Sequence, residues 1–218
     1  MHLQLGPTNA RLLDGSTSWD AAAENALRIW NANMGSTQFV SQRNSTAARA
    51  DANGINNVFF SGNIYGESWG SGVLAVTLIY YSGQQMSETD VLFNAGYTWN
   101  SYRGPQQGGT IDFHRVALHE FGHAIGLDHP DEAGQWITAI MNAYVSDVDG
   151  LMLDDVSGAR SLYGAPVINP PPVIPAPLAP APVILTQPRH QTATVGDSVS
   201  FNVTVSSQIP VTYRWLKN

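Results

Sequence analysis

The stretch His119-Glu120-Phe121-Gly122-His123-Ala124-Ile125-Gly126-Leu127-Asp128-His129 decides how the rest of the chain is read. It closes an apolar run, Phe113 to Ile125, that reads as a helix with Asp112 as its cap and Gly126 as its stop. At about 100° per residue, His119 and His123 project within about 40° of each other, one turn apart, so both imidazoles can reach one metal ion. Glu120 falls about 60° from His123, where its carboxylate reaches a metal-bound water without ligating. Gly126 lets the backbone turn and bring His129 back as the third ligand. Three neutral imidazoles leave a fourth position for water, the arrangement of a catalytic zinc centre and not of a closed structural one. His114 lies about 140° around the helix from His119, beside Leu118, Phe121 and Ile125, and reads as a core-edge histidine outside the site.

Composition narrows the chemistry. The 218 residues carry a net charge of −7 and no Cys, so a metal must rest on His, Asp or Glu, and disulfides and thiolate nucleophiles are excluded. No Lys/Arg cluster offers a footing for nucleic acid or an anionic membrane. Nine of the 13 prolines lie between Pro166 and Pro188, which forbids a membrane-spanning helix there and predicts an extended spacer over 165–186. Met1 to Asn9 has neither the basic cluster nor the apolar core of a signal peptide, so an export signal or pro-segment is expected either to lie outside this chain or not to exist.

Upstream of the spacer, Ser18 caps a helix carrying Trp19, Ala22, Ala23, Ala26, Leu27 and Trp30, with Gly35 as its stop. Val73 to Tyr81 and Asp90 to Trp99 read as strands, with a shorter one at Val58 to Phe60. Helix, strands, then helix predicts an α+β domain with a mixed sheet.

The stretch opening this section matches HExxHxxGxxH, the signature of the metzincin zinc endopeptidases, and the similarity extends over most of 1–164. Ala139-Ile140-Met141-Asn142-Ala143-Tyr144 resembles the Met-turn beneath the zinc. Leu153-Asp154-Asp155 through Leu162-Tyr163-Gly164 resembles the C-terminal helix of matrixins, Ala26 to Trp30 their first helix, and Gly72 to Ala75 their edge strand. The resemblance implies a metzincin fold: a twisted mixed sheet, an active-site helix, a Met-turn and a C-terminal helix. It also implies a secreted endopeptidase with one catalytic Zn2+ on His119, His123 and His129. Glu120 would be the general base, Met141 would pack beneath the ligands, and Tyr144 would line the substrate pocket. The substrate would be an extended protein or peptide added along Val73 to Tyr81. In matrixins the Asp pair ties the last helix to the fold and to the mature N-terminus.

Pro130, where matrixins usually place Ser, is shared with serralysin-like enzymes, and His129 to Met141 is longer than in animal matrixins. The second, structural zinc of matrixins is not carried over, because only His2, His114 and His190 remain. Calcium (Ca2+) is compatible with the resemblance but not assignable to residues. The chain lacks the glycine-rich calcium repeats of serralysins, which favours a bacterial-type matrixin over a serralysin-like protease. An inactive, zinc-stabilised adhesion protein is the reading from another class. Beyond the spacer, residues 187–218 alternate apolar and polar residues over Val195 to Val205 and end in Tyr213-Arg214-Trp215. They resemble the N-terminal part of a truncated, Cys-free, all-β Ig-like domain that would bind other proteins or glycans.

Overall fold

The computed structural model describes residues 1–8, 10–166, 182–207 and 211–215. The chain divides into two units, Met1–Val167 and Ile168–Asn218.

In the first unit the elements follow the order β1 (His2–Leu3), α1 (Trp19–Asn31), β2 (Asn57–Ser61), β3 (Ala75–Ser82), β4 (Gln85–Asn94), β5 (Trp99–Asn100), β6 (Ile111–Asp112), α2 (Phe113–His123) and α3 (Leu153–Tyr163). Four strands form a mixed sheet in the order β1-β2-β4-β3, in which β1, β2 and β4 run parallel and β3 returns antiparallel to β4. β3 is therefore an edge, with strand partners on one side only among the described residues. β5 and β6 form a separate two-stranded parallel pair.

Local chemistry explains the element ends. Ser18 accepts from Ala21 N at the start of α1, and Asp112 accepts from His114 N at the start of α2, so each carboxyl or hydroxyl oxygen satisfies an orphan helix amide. α1 ends at Asn31, ahead of Gly35, which has a different job. A Cβ at Gly35 would stand 2.4 Å from the Ala165 carbonyl oxygen, and its N–H donates to Gly164 O. The strand expected over Asp90 to Trp99 instead spans Gln85–Asn94. Its polar first half is recruited by a tight hairpin through Gly83, whose φ is +66°, and its end is set by Asn94, whose side chain accepts from Gly96 N and turns the chain.

The core sits between the sheet and the two packed helices. Trp30 of α1 is fully buried and its indole donates to Leu118 O of α2 at 2.8 Å. At the start of α2, Phe113 packs against Phe93 (centroids 4.6 Å), Trp19 and Phe60, which clamps the helix onto the sheet. α2 is thus fixed at its start and at its middle before any chemistry is considered. The amino group of Met1 donates to Val40 O and not to the Asp pair of α3.

In the second unit, β7 (Val183–Thr186) pairs antiparallel with β8 (Thr204–Ser206). The strand expected over Val195 to Val205 is confined to Thr204–Ser206, and its partner Val183–Thr186 lies within the stretch expected as the spacer. Val-Ile-Leu-Thr lies between Pro182 and Pro188, so its β-branched residues are free to pair. Tyr213 to Trp215 adopts no strand, and residues 167–181 of the spacer lie outside the described residues. No helix of the described residues is long and apolar enough to cross a membrane.

His114 is 2% exposed and its Nδ1 has no hydrogen-bond partner. Burial, with Arg103 adding to it, pushes its pKa down from 6.5 to about 4. The folded state therefore holds the neutral ring while the unfolded chain takes up a proton. Stability is full above the unfolded value and falls as pH drops through that window, by about 3 kcal/mol at most. Urea unfolding at stepped pH should show this acid-side loss in the wild type. In His114→Gln the same titration should be shallower by that amount.

Candidate metal centre

α2 delivers His119 and His123 from one face, and the chain then reverses. Gly126, at φ +89°, closes the helix with Gly126 N donating to His123 O at 2.8 Å and Leu127 N to Gly122 O at 3.0 Å. The helix proper ends at His123, two residues earlier than its apolar period suggests, and the left-handed glycine supplies the reversal that presents His129. The three Nε2 atoms then stand 3.0, 3.0 and 3.2 Å apart. They are the one group of three or more potential ligands that converges among the described residues.

The other ring nitrogens fix the chemistry of this triangle. His119 Nδ1 meets Ile140 O at 2.8 Å, His123 Nδ1 meets Leu127 O at 2.8 Å, and His129 Nδ1 meets Glu132 Oε2 at 3.0 Å. Carbonyl and carboxylate oxygens only accept, so each Nδ1 carries the proton and each neutral ring turns an Nε2 lone pair inward. Burial lowers the pKa of His119 and of His123, for the latter with His119 adding to the effect, which favours the neutral rings. Three lone pairs about 3 Å apart repel one another unless a cation lies among them, and imidazoles sharing one ion at roughly 2 Å adopt such a spacing. The donor set fits a borderline metal that prefers nitrogen.

Glu120 is 5% exposed, and burial raises its carboxyl pKa against the opposing pull of His123 and Thr77. Its Oε2 accepts from the Thr77 hydroxyl at 2.7 Å. Met141 is buried, and the Met-turn is held from below by Asp155: its carboxylate accepts from Ile140 N at 3.0 Å, Met141 N at 3.2 Å and Met152 N at 2.6 Å. Of the Asp pair, Asp155 is thus structural and tied to the turn. Tyr144 is 85% exposed and stands on the wall of a cleft of about 680 Å³ that also takes in the three His, Glu120 and residues 71–77 and 79 of the β3 segment. His114 does not line it.

Sequence reasoning did not find Thr77, Asp131, Glu132 or the tight fit at Gly122. Asp131 accepts from Ala143 N with both oxygens, at 3.0 and 3.2 Å, and so ties the long segment after His129 to the turn. Only Glu132 had a local signal, lying three residues after His129. A Cβ on Gly122 would stand 2.2 Å from Met141 Sδ.

The matrixin family profile matches residues 8–164. Among individual proteins, the chain is 33% identical to matrix metalloproteinase-25 of Homo sapiens over 87 residues, 39% of this chain and 15% of that protein. It is 41% identical to stromelysin-3 of Homo sapiens over 81 residues, 36% and 15% respectively. It is 32% identical to the macrophage metalloelastase of Rattus norvegicus over 92 residues, 42% and 18%. The aligned region is thus under a fifth of each of these relatives.

Gly→Ala inside a helix ordinarily stabilises by about 0.5–1 kcal/mol. At Gly122 the sign should reverse, because the new methyl displaces Met141: Gly122→Ala is expected to lose about 1–3 kcal/mol in urea unfolding of the metal-free protein. Calorimetric titration should show weaker zinc binding as the Met-turn carbonyl of Ile140 shifts from His119.

Proposed function

The chain belongs to the matrixin family, and on that premise we propose that it is a zinc-dependent endopeptidase of bacterial type that cleaves extended polypeptides outside the cell. One observation carries the reading. The inward-facing Nε2 atoms of His119, His123 and His129 and the buried Glu120 carboxylate open on the same cleft.

When bound, zinc supplies Lewis acidity that polarises the scissile carbonyl and activates water for attack. The chain's own residues do the rest. The three imidazoles hold the ion as neutral donors, each oriented by its Nδ1 partner. Glu120 takes the proton of the attacking water and returns it to the leaving amine. The free side of β3 offers backbone groups to a substrate strand, and Tyr144 borders the pocket for a substrate side chain. A zinc-stabilised scaffold would need the three His but would have no use for a carboxylate buried beside them.

We further propose a domain plan of a catalytic part over 1–164, a proline-rich linker over 165–186 and an Ig-like segment over 187–218 that engages proteins or glycans. Its support is the change in composition at Pro166 and the likeness of the last stretch to an Ig strand pair.

The test is hydrolysis of casein or gelatin by the zinc-loaded protein. Activity should vanish with a chelator and return with zinc. Glu120→Gln should keep one zinc and lose about 10²-fold to 10⁴-fold in kcat. A zinc-loaded wild type that cleaves nothing across a diverse peptide library would sink the enzyme reading.

A further inference from the structure

Glu120 depends on a neighbour that lies 43 residues upstream, on the strand beside the cleft. Thr77 Oγ1 is 2.7 Å from Glu120 Oε2 and 3.0 Å from Glu120 O. A hydroxyl has one proton, and the two acceptors compete for it. The Glu120 carbonyl already accepts Ala124 N at 3.0 Å, whereas Thr77 is the sole hydrogen-bond donor to the Glu120 carboxylate among the described residues. The shorter contact, to the oxygen with no other donor, wins, so the hydroxyl proton goes to Oε2. Thr is β-branched and stiff at χ1, and here it sits within a paired strand, in register with Val91 of β4, so Oγ1 is fixed in space. One carboxylate oxygen is pinned to the wall of the cleft, and the direction in which the other points is set.

We propose that Thr77 is a positioning residue that aims the Glu120 carboxylate into the cleft from the very strand along which substrate is added. The proposal rests on the endopeptidase reading and deepens it. Ala75, Val76, Thr77 and Ile79 all line the cleft, and the outer edge of β3 pairs with no strand among the described residues. An extended peptide pairing with that edge steadies the backbone that carries Thr77. Substrate docking and base alignment are thereby joined through one side chain. Removing the hydroxyl should impair turnover and leave docking intact, since the backbone edge remains.

The experiment compares Thr77→Val and Thr77→Ser with wild type. In zinc-loaded protein, kcat and KM on a fluorogenic peptide are measured together with zinc content and Tm. In metal-free protein, the 13C resonance of the Glu120 side-chain carboxyl, identified by its absence in Glu120→Gln, reports the hydrogen bond without any turnover. Thr77→Val should lower kcat about tenfold to a hundredfold with KM within about twofold, one zinc retained and the carboxyl resonance moved. Thr77→Ser should restore most of kcat and return the resonance. A Thr77→Val protein with wild-type kcat, an unmoved resonance, or a loss of activity that tracks loss of zinc would each overturn the proposal. A wild type that cleaves no peptide would remove the endopeptidase reading instead, while the resonance would still decide whether Thr77 holds Glu120.

Discussion

Three imidazole lone pairs facing one another across 3.0–3.2 Å are an unfavourable arrangement that the rest of the domain is built to hold. Each ring is turned inward by a bond on its far side, and the three partners come from three separate places: Ile140 in the Met-turn, Leu127 in the turn after α2, and Glu132 in the segment after His129. Neither His119 nor His123 can rotate away without abandoning the buried Ile140 carbonyl or the half-buried Leu127 carbonyl, which costs on the order of 1–3 kcal/mol, whereas Glu132 holds His129 from an exposed position. The backbone of the lower half of the domain is in this sense the outer wall of the ligand set.

That wall is itself braced. Asp155 accepts three amides, two from the Met-turn and one from Met152, so α3 and the turn move as one piece. Gly122 brings Met141 against the helix that carries His119 and His123, an approach that any Cβ would block. Trp30 joins the same helix to α1 from the other side through the carbonyl of Leu118, one residue before His119. A change in the first helix is thus transmitted to the ligands through a single indole hydrogen bond and the packing around it.

What was legible in the sequence was what depends on neighbours in the chain. The caps Ser18 and Asp112 act on amides two or three residues away, the His spacing follows from the helix period, and Gly126 is required by a left-handed turn; all of these read directly. The polar stretch Gln85 to Thr89 carries no strand composition and becomes a strand only because the Gly83 hairpin lays it against β3. Thr77 reads as an ordinary β-branched strand residue, and nothing within several positions of it hints at a carboxylate 43 residues away. Asp131 likewise looks like a surface acid until the Met-turn folds against it, whereas a structural role for Asp155 was already implied by the matrixin-like Asp pair. In the second unit, pairing of Val183–Thr186 with Thr204–Ser206 is a long-range choice that composition assigned to a spacer.

The placement of charge explains why so few acids serve the site in a chain with net charge −7. Glu120 is the buried carboxylate on the cleft, and burial raises its pKa against the opposing pull of His123 and the Thr77 hydrogen bond. The buried cation closest to it in sequence, Arg115, lies on the same cleft but is committed elsewhere. Its guanidinium donates to Ser146 O and Gly104 O and pairs with Asp112 at 3.5 Å. Arg115 therefore braces the far wall and does not neutralise Glu120. A buried carboxylate beside three lone pairs, with the protein's own cation turned away, is an electrostatic deficit that a divalent ion fills better than a proton does. One ion satisfies all three nitrogens, whereas a single proton could quiet only one ring.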